Sequence, residues 1–278
     1  MLIELPGDGV TLRADLEGPP DGVPIVFLHG GGQTRGAWRE AVEAMAARGL
    51  RAMSVDLRGH GDSDWAPDGD YRMERMSNDV RAVAGSFSQK PFLVGASLGG
   101  WSALLAAAEA PVSPARGLIL VDIVPRVEVE GADAVIHFMR SAPNGFATLE
   151  EASEVISAYL PHRKRPTGTQ GLKRNLRHGP DGRWRWHWDP RIIDDRNRVL
   201  PHLMTPRFEA AARALSVPTL LVRGGSSKVV SLEGAREFLA LVPGAEMVDV
   251  AGSDHMVAGD QNDAFNVAII AFVSRHLT

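Results

Sequence analysis

Ser97 stands among small residues in Gly95-Ala96-Ser97-Leu98-Gly99-Gly100. Small neighbours permit a sharp strand-to-helix turn that holds a hydroxyl clear of the backbone as a nucleophile. A serine hydroxyl is weak at neutral pH, so a base must take its proton and a third group must orient that base. His255, in Val250-Ala-Gly-Ser-Asp-His255-Met-Val-Ala-Gly259, is the candidate base, because a late histidine fits the chain order nucleophile, acid, histidine. The glycine run His29-Gly30-Gly31-Gly32 lets the backbone approach a substrate closely. The amides of Gly31 and Leu98 are then the candidate donors to a developing oxyanion. Together these residues point to acyl transfer through a covalent serine intermediate.

The elements around them suit that chemistry. Phe92-Leu-Val94 reads as a strand before the serine, and Trp101-Ser-Ala-Leu-Leu-Ala-Ala-Ala108 as a helix after it. Further apolar runs at 25–28, 52–55, 117–121 and 219–222, with a less apolar one at 245–250, alternate with helical stretches at 37–48, 72–87, 98–109, 231–241 and 263–276. That alternation predicts a mostly parallel sheet covered by helices on both faces, with residues through Leu16 forming an antiparallel edge hairpin. It breaks after Val124 and resumes at Val217. The intervening stretch carries helical pieces near 131–142, 148–160 and 205–215 and reads as a cap. In Arg183-Trp-Arg-Trp-His-Trp188 the alternation predicts an extended segment with Trp184, Trp186 and Trp188 on one side.

Composition excludes several classes. With 278 residues, 44% apolar and 23% charged, the chain can bury a large core. It has no cysteine, hence no disulfide, thiolate nucleophile or zinc–thiolate site. A net charge of −4 gives no reason to expect nucleic acid as a partner, and neither a signal peptide nor a membrane-spanning run is visible, so a cytoplasmic protein is expected. Lys and Arg cluster between Pro161 and Arg198, where they most simply form a solvated face but could draw anionic substrates. No cofactor or metal motif stands out, and the oligomeric state is not legible.

The GxSxG segment, the HGGG loop, Asp56-Leu-Arg58-Gly59-His60-Gly61-Asp62-Ser63, the cap position and the late histidine resemble the α/β-hydrolase superfamily, in particular its bacterial esterase and cofactor-free haloperoxidase-like branch. The resemblance implies an α/β fold with a mostly parallel eight-stranded sheet and an inserted helical cap. The core would comprise 1–124 and 215–278, and the cap 125–214. It also makes His29 a structural residue and Arg58, His60 and Asp62 braces of their loop. In many relatives a catalytic Asp follows the strand at Leu220–Arg223, and Lys228 occupies that position here.

A lysine cannot orient and charge-stabilise an imidazole as a carboxylate does. Asp122, in Leu118-Ile-Leu-Val-Asp122, is the leading replacement, since it ends the neighbouring strand; its other reading is a brace for the cap hinge before Pro125. Ser226 or Ser227 could instead accept the histidine N–H. Lys228 itself is either an exposed loop residue or a contact for an anionic substrate. The expected pocket lining is Trp38, Phe138, Met139, Phe146, Trp186, Trp188 and Lys228. The expected reaction is hydrolysis of a small-molecule carboxylic ester or lactone. C–C bond hydrolysis or perhydrolysis would use the same serine, and a degenerate hydrolase that only binds a small ligand is the alternative that Lys228 raises.

Overall fold

The computed structural model describes residues 1–159, 168–194, 196–197, 201–253, 255 and 262–277. Its centre is an eight-stranded sheet. The strands are β1 (Leu2–Pro6), β2 (Thr11–Glu17), β3 (Pro24–Leu28), β4 (Arg51–Asp56), β5 (Phe92–Ala96), β6 (Gly117–Val121), β9 (Thr219–Gly224) and β10 (Glu246–Val250), in the order β1-β2-β4-β3-β5-β6-β9-β10. β1 and β2 form the antiparallel hairpin, β2 runs antiparallel to β4, and all later pairings are parallel.

Burial follows position in the sheet. Every residue of β3, β6 and β9 is buried, whereas β10 at the edge buries only Val250. Continuous apolar strands of this kind are stable only when helices cover both faces. On one face, α1 (Arg39–Ala46) and the C-terminal helix Asn262–Arg275 bury Val42, Met45, Phe265 and Phe272 against Phe27 and Phe92. On the other lie α2 (Met73–Gly85), α3 (Leu98–Ala108) and α7 (Leu232–Leu241). No helix among the described residues is long and apolar enough to cross a membrane.

Between β6 and β9 the chain leaves the sheet for nearly a hundred residues. It forms α4 (Val129–Met139), α5 (Leu149–Tyr159), a two-stranded ribbon of β7 (Leu176–His178) and β8 (Trp184–Trp186), and α6 (Pro201–Arg213). The last starts earlier than the piece near 205–215 read from the sequence, and it carries Pro206 in its interior. Aromatic contacts knit this segment together: Trp186 stacks on Trp188 with centroids 4.7 Å apart, Phe138 stacks on Tyr159 at 4.3 Å, and Phe146 meets Trp186 edge-on at 5.1 Å. Its junction with the sheet is partly ionic. Arg177 donates to Gly61 O and to Asp62, and Arg191 grips Asp189 while donating to Ala66 O.

Candidate active site

Ser97 occupies the turn between β5 and α3 with φ 48° and ψ −117°. A non-glycine residue is held in such a conformation only by its surroundings, at a cost of about 1–3 kcal/mol. Those surroundings explain the motif. A Cβ on Gly95 would lie 2.5 Å from Gly99 O, and one on Gly99 would lie 2.4 Å from Leu28 O, so the helix can cross the strands only with glycine at both places. Asp122, which follows β6, has the same positive φ of 48°. Both residues leave the carboxyl ends of adjacent strands, and Ser97 N donates to Val121 O while Asp122 N donates to Val222 O.

Asp122 and His255 meet. His255 Nδ1 lies 2.7 Å from Asp122 Oδ2; the carboxylate can only accept, so Nδ1 carries the hydrogen and Nε2 is left as a lone-pair base. Asp122 is fully buried, and its other oxygen accepts from Gly224 N at 2.9 Å. Ser227 supplies a further donor, its hydroxyl 2.5 Å from Asp122 Oδ2. That hydroxyl is itself fixed, because it accepts from the amides of Val229 and Val230, both at 3.1 Å. The serine therefore bonds the Asp122 carboxylate rather than the histidine ring. Backbone bonds from Gly225 N to Val250 O and from Ser226 N to Ser253 O tie this loop to the one that carries His255.

Lys228 does not approach the site. Its side chain is exposed and lines neither cavity at Ser97, which corrects its expected place in the substrate pocket. The turn held by Ser227 explains this: the loop directs position 227 inward towards Asp122, so the next residue faces solvent. The sequence offered no signal for Ser227 as a donor to a carboxylate, because the two lie 105 residues apart. Of the carboxylates nearer His255 in the chain, Asp249 pairs with Arg223 at 2.9 Å, and Asp254 lies outside the described residues.

Three buried histidines hold the glycine loop. His29 Nε2 accepts from Leu57 N at 3.0 Å and its Nδ1 faces Gly30 O; His60 Nε2 accepts from Gly32 N at 3.2 Å and its Nδ1 faces Arg58 O. His187, arriving from the segment between β6 and β9, accepts from Gly61 N at 2.8 Å and places Nε2 3.4 Å from Gly32 O. Each ring thus has one accepting and one donating nitrogen and stays neutral. Burial lowers all three from the ordinary 6.5, His29 to about 4 and His60 to about 3, with their mutual repulsion adding to the effect at His60 and His187. Asp56 braces the same region, accepting from Arg35 N and Asp62 N and pairing with the Arg35 guanidinium.

Two cavities meet at Ser97 and His255, and Gly31 and Val135 line both. The larger is about 530 Å³ and includes Trp38, Phe138 and Trp186; the smaller is about 90 Å³ and includes Leu98 and Met139. Trp38 is at the same time buried against Phe27 and Phe265. Phe146 and Trp188 line neither cavity, which corrects their expected place in the pocket; both pack on Trp186, while Trp184 packs on His178. Most described arginines of the segment between β6 and β9 are likewise engaged with protein, as Arg183 is with Asn144 O and Gly145 O, and Arg174 lines the larger cavity. Among the described residues no group of three or more His, Asp or Glu is disposed to hold a metal ion.

A family model described as "Alpha/beta hydrolase family" matches residues 25–268. The chain belongs to that family. Esterase Rv0045c of Mycobacterium tuberculosis is 32% identical over 251 residues, 85% of this chain and 78% of the relative. The sn-1-specific diacylglycerol lipase ABHD11 of Mus musculus is 31% identical over 260 residues, 90% of this chain and 80% of the relative. Among solved structures, E-2-(acetamidomethylene)succinate hydrolase superposes with a TM-score of 0.85 at 24% identity, covering 99% of this chain and 100% of that one, a likeness of fold. This hydrolase therefore shares architecture with relatives whose names span several hydrolytic reactions.

Proposed function

We propose that this hydrolase cleaves a carboxylic ester or lactone through an acyl-enzyme on Ser97. The observation that carries the reading is the Asp122 to His255 contact of 2.7 Å beside cavities that Ser97 also lines. In the first half-reaction His255 Nε2 takes the Ser97 proton as Oγ bonds to the carbonyl carbon. Gly31 N–H and Leu98 N–H stabilise the oxyanion, and the C–O bond breaks as the leaving oxygen takes the proton from His255. Water then repeats the sequence, its proton passing through His255 back to Ser97 as the acid departs. Asp122 keeps the ring in the productive tautomer and balances its charge. The esterase and lipase named above favour ester bonds. A binder without catalysis was motivated by Lys228 in the acid's place, and that motive is lost with Asp122 at His255.

A chromogenic short-chain ester tests this with wild type, Ser97→Ala and His255→Ala. Wild type should turn over and give a serine-bound acyl adduct detectable by mass, and each variant should lose at least about 10³-fold in kcat. A wild type that neither turns over nor becomes acylated would rule the reading out.

A further inference from the structure

The two cavities differ in what they can receive. No charged side chain lines the smaller one, and its polar side chains other than Ser97 and His255 are Tyr71, Trp101 and Asn197. All three are committed to protein. The Tyr71 hydroxyl donates to Asp189 at 2.5 Å and accepts from Ala66 N at 2.8 Å; Trp101 Nε1 donates to Val124 O. Asn197 donates to Gly69 O and Arg191 O and accepts from Tyr71 N. A polar substituent entering here would give up water and find these side chains already satisfied, so the space favours hydrocarbon.

The cavities also differ in the residues at their rims. Every described residue lining the smaller cavity is buried or half-buried, whereas Arg39, Glu40 and Arg174 at the larger cavity are exposed. The leaving group must depart, and water must arrive, while the acyl group is still bound to Ser97. The larger cavity, with charged and exposed residues at its rim, suits the part that leaves and the water that replaces it, and the smaller apolar one suits the part that stays.

We propose that the smaller cavity is the acyl subsite and that it selects short, uncharged hydrocarbon acyl groups, with Met139 limiting their length. This rests on the acyl-enzyme reading above. An apolar cavity of about 150 Å³ takes benzene, so 90 Å³ corresponds to about four carbons. Met139 is well placed to set that limit: it lines this cavity, and its sulfur would lie 3.1 Å from a Cβ on Gly31.

The test varies one side of the ester at a time. p-Nitrophenyl acetate, butyrate, hexanoate, octanoate and hemisuccinate probe the acyl side; acetates of lengthening alcohols probe the other. Wild type should be best at acetate or butyrate and lower in kcat/KM by about tenfold or more at octanoate and hemisuccinate. Met139→Ala, with Ile193→Ala as a second enlargement of the same cavity, should move the acyl optimum at least two carbons longer and leave the alcohol series unchanged. The subsite is overturned if octanoate matches butyrate in wild type, if neither folded variant shifts the acyl optimum, or if the shift appears in the alcohol series. Failure of wild type to be acylated by any ester would overturn the hydrolytic reading itself, and the subsite with it.

Discussion

Asp122 Oδ2 is shared by two donors, His255 Nδ1 at 2.7 Å and the Ser227 hydroxyl at 2.5 Å. The serine thereby fixes which lone pairs remain for the histidine. Asp122→Asn should keep the fold but let the amide donate towards Nδ1 and select the wrong tautomer, lowering kcat by about 10³–10⁴-fold at pH 7. Equal folded fractions by circular dichroism and a kcat loss below tenfold would refute the assignment of the acid. Ser227→Ala removes one charge-assisted hydrogen bond and should lower kcat by about tenfold with little change in KM, with Ser227→Thr recovering much of it. Lys228→Asp should bring no gain, because position 228 faces solvent. A large gain there would mean that the acid position after β9 is still in play.

Elements meet at the site through a few buried polar contacts. Arg58, in the loop after β4, is 2% exposed and pairs with Asp79 of α2 at 2.5 and 2.6 Å, while also donating to Asp8 O and Asp70 O. Burial pushes the Asp79 carboxyl up even against the pull of Arg58. Neutralising one partner leaves the other buried and unpaired, so Arg58→Ala should destabilise the fold by about 3–5 kcal/mol. Urea unfolding monitored by tryptophan fluorescence measures it, and a loss under 1 kcal/mol would show that α2 is not anchored this way. The three histidines act one layer higher: His60 and His187 clamp Gly32 at its N–H and its C=O, and His29 faces Gly30 O.

Over the whole molecule those histidines set a pH response. They are held neutral when folded, with values lowered to about 4 for His29 and about 3 for His60 from an ordinary 6.5, and with His187 lowered as well. The unfolded chain therefore binds protons below pH 6.5 that the folded chain refuses. Their contribution is complete above that pH and is lost as the pH falls through 6.5 towards the folded values, at up to about 1.4 kcal/mol per pH unit per ring. Urea midpoints should fall steeply between pH 6.5 and 4.5 and level off above 7. His187→Gln should shallow that slope, and an unchanged slope would exclude His187 as a contributor.

The sheet and the serine turn are legible in the chain because both are local: buried strands are written in runs such as Ile25–Leu28 and Leu118–Val121, and the elbow in glycines spaced around Ser97. The sequence also named Asp122 as a candidate acid, since a strand end is legible from hydrophobicity, but not whether that carboxylate meets a histidine 133 residues away. Tertiary structure decided that point by setting β6 beside β9 and closing the turn that aims Ser227, not Lys228, at Asp122. It also decided which aromatic residues reach the cavity and which only support those that do. Such outcomes depend on which distant strands pair and how a loop is pinned, and no periodicity along the chain carries them.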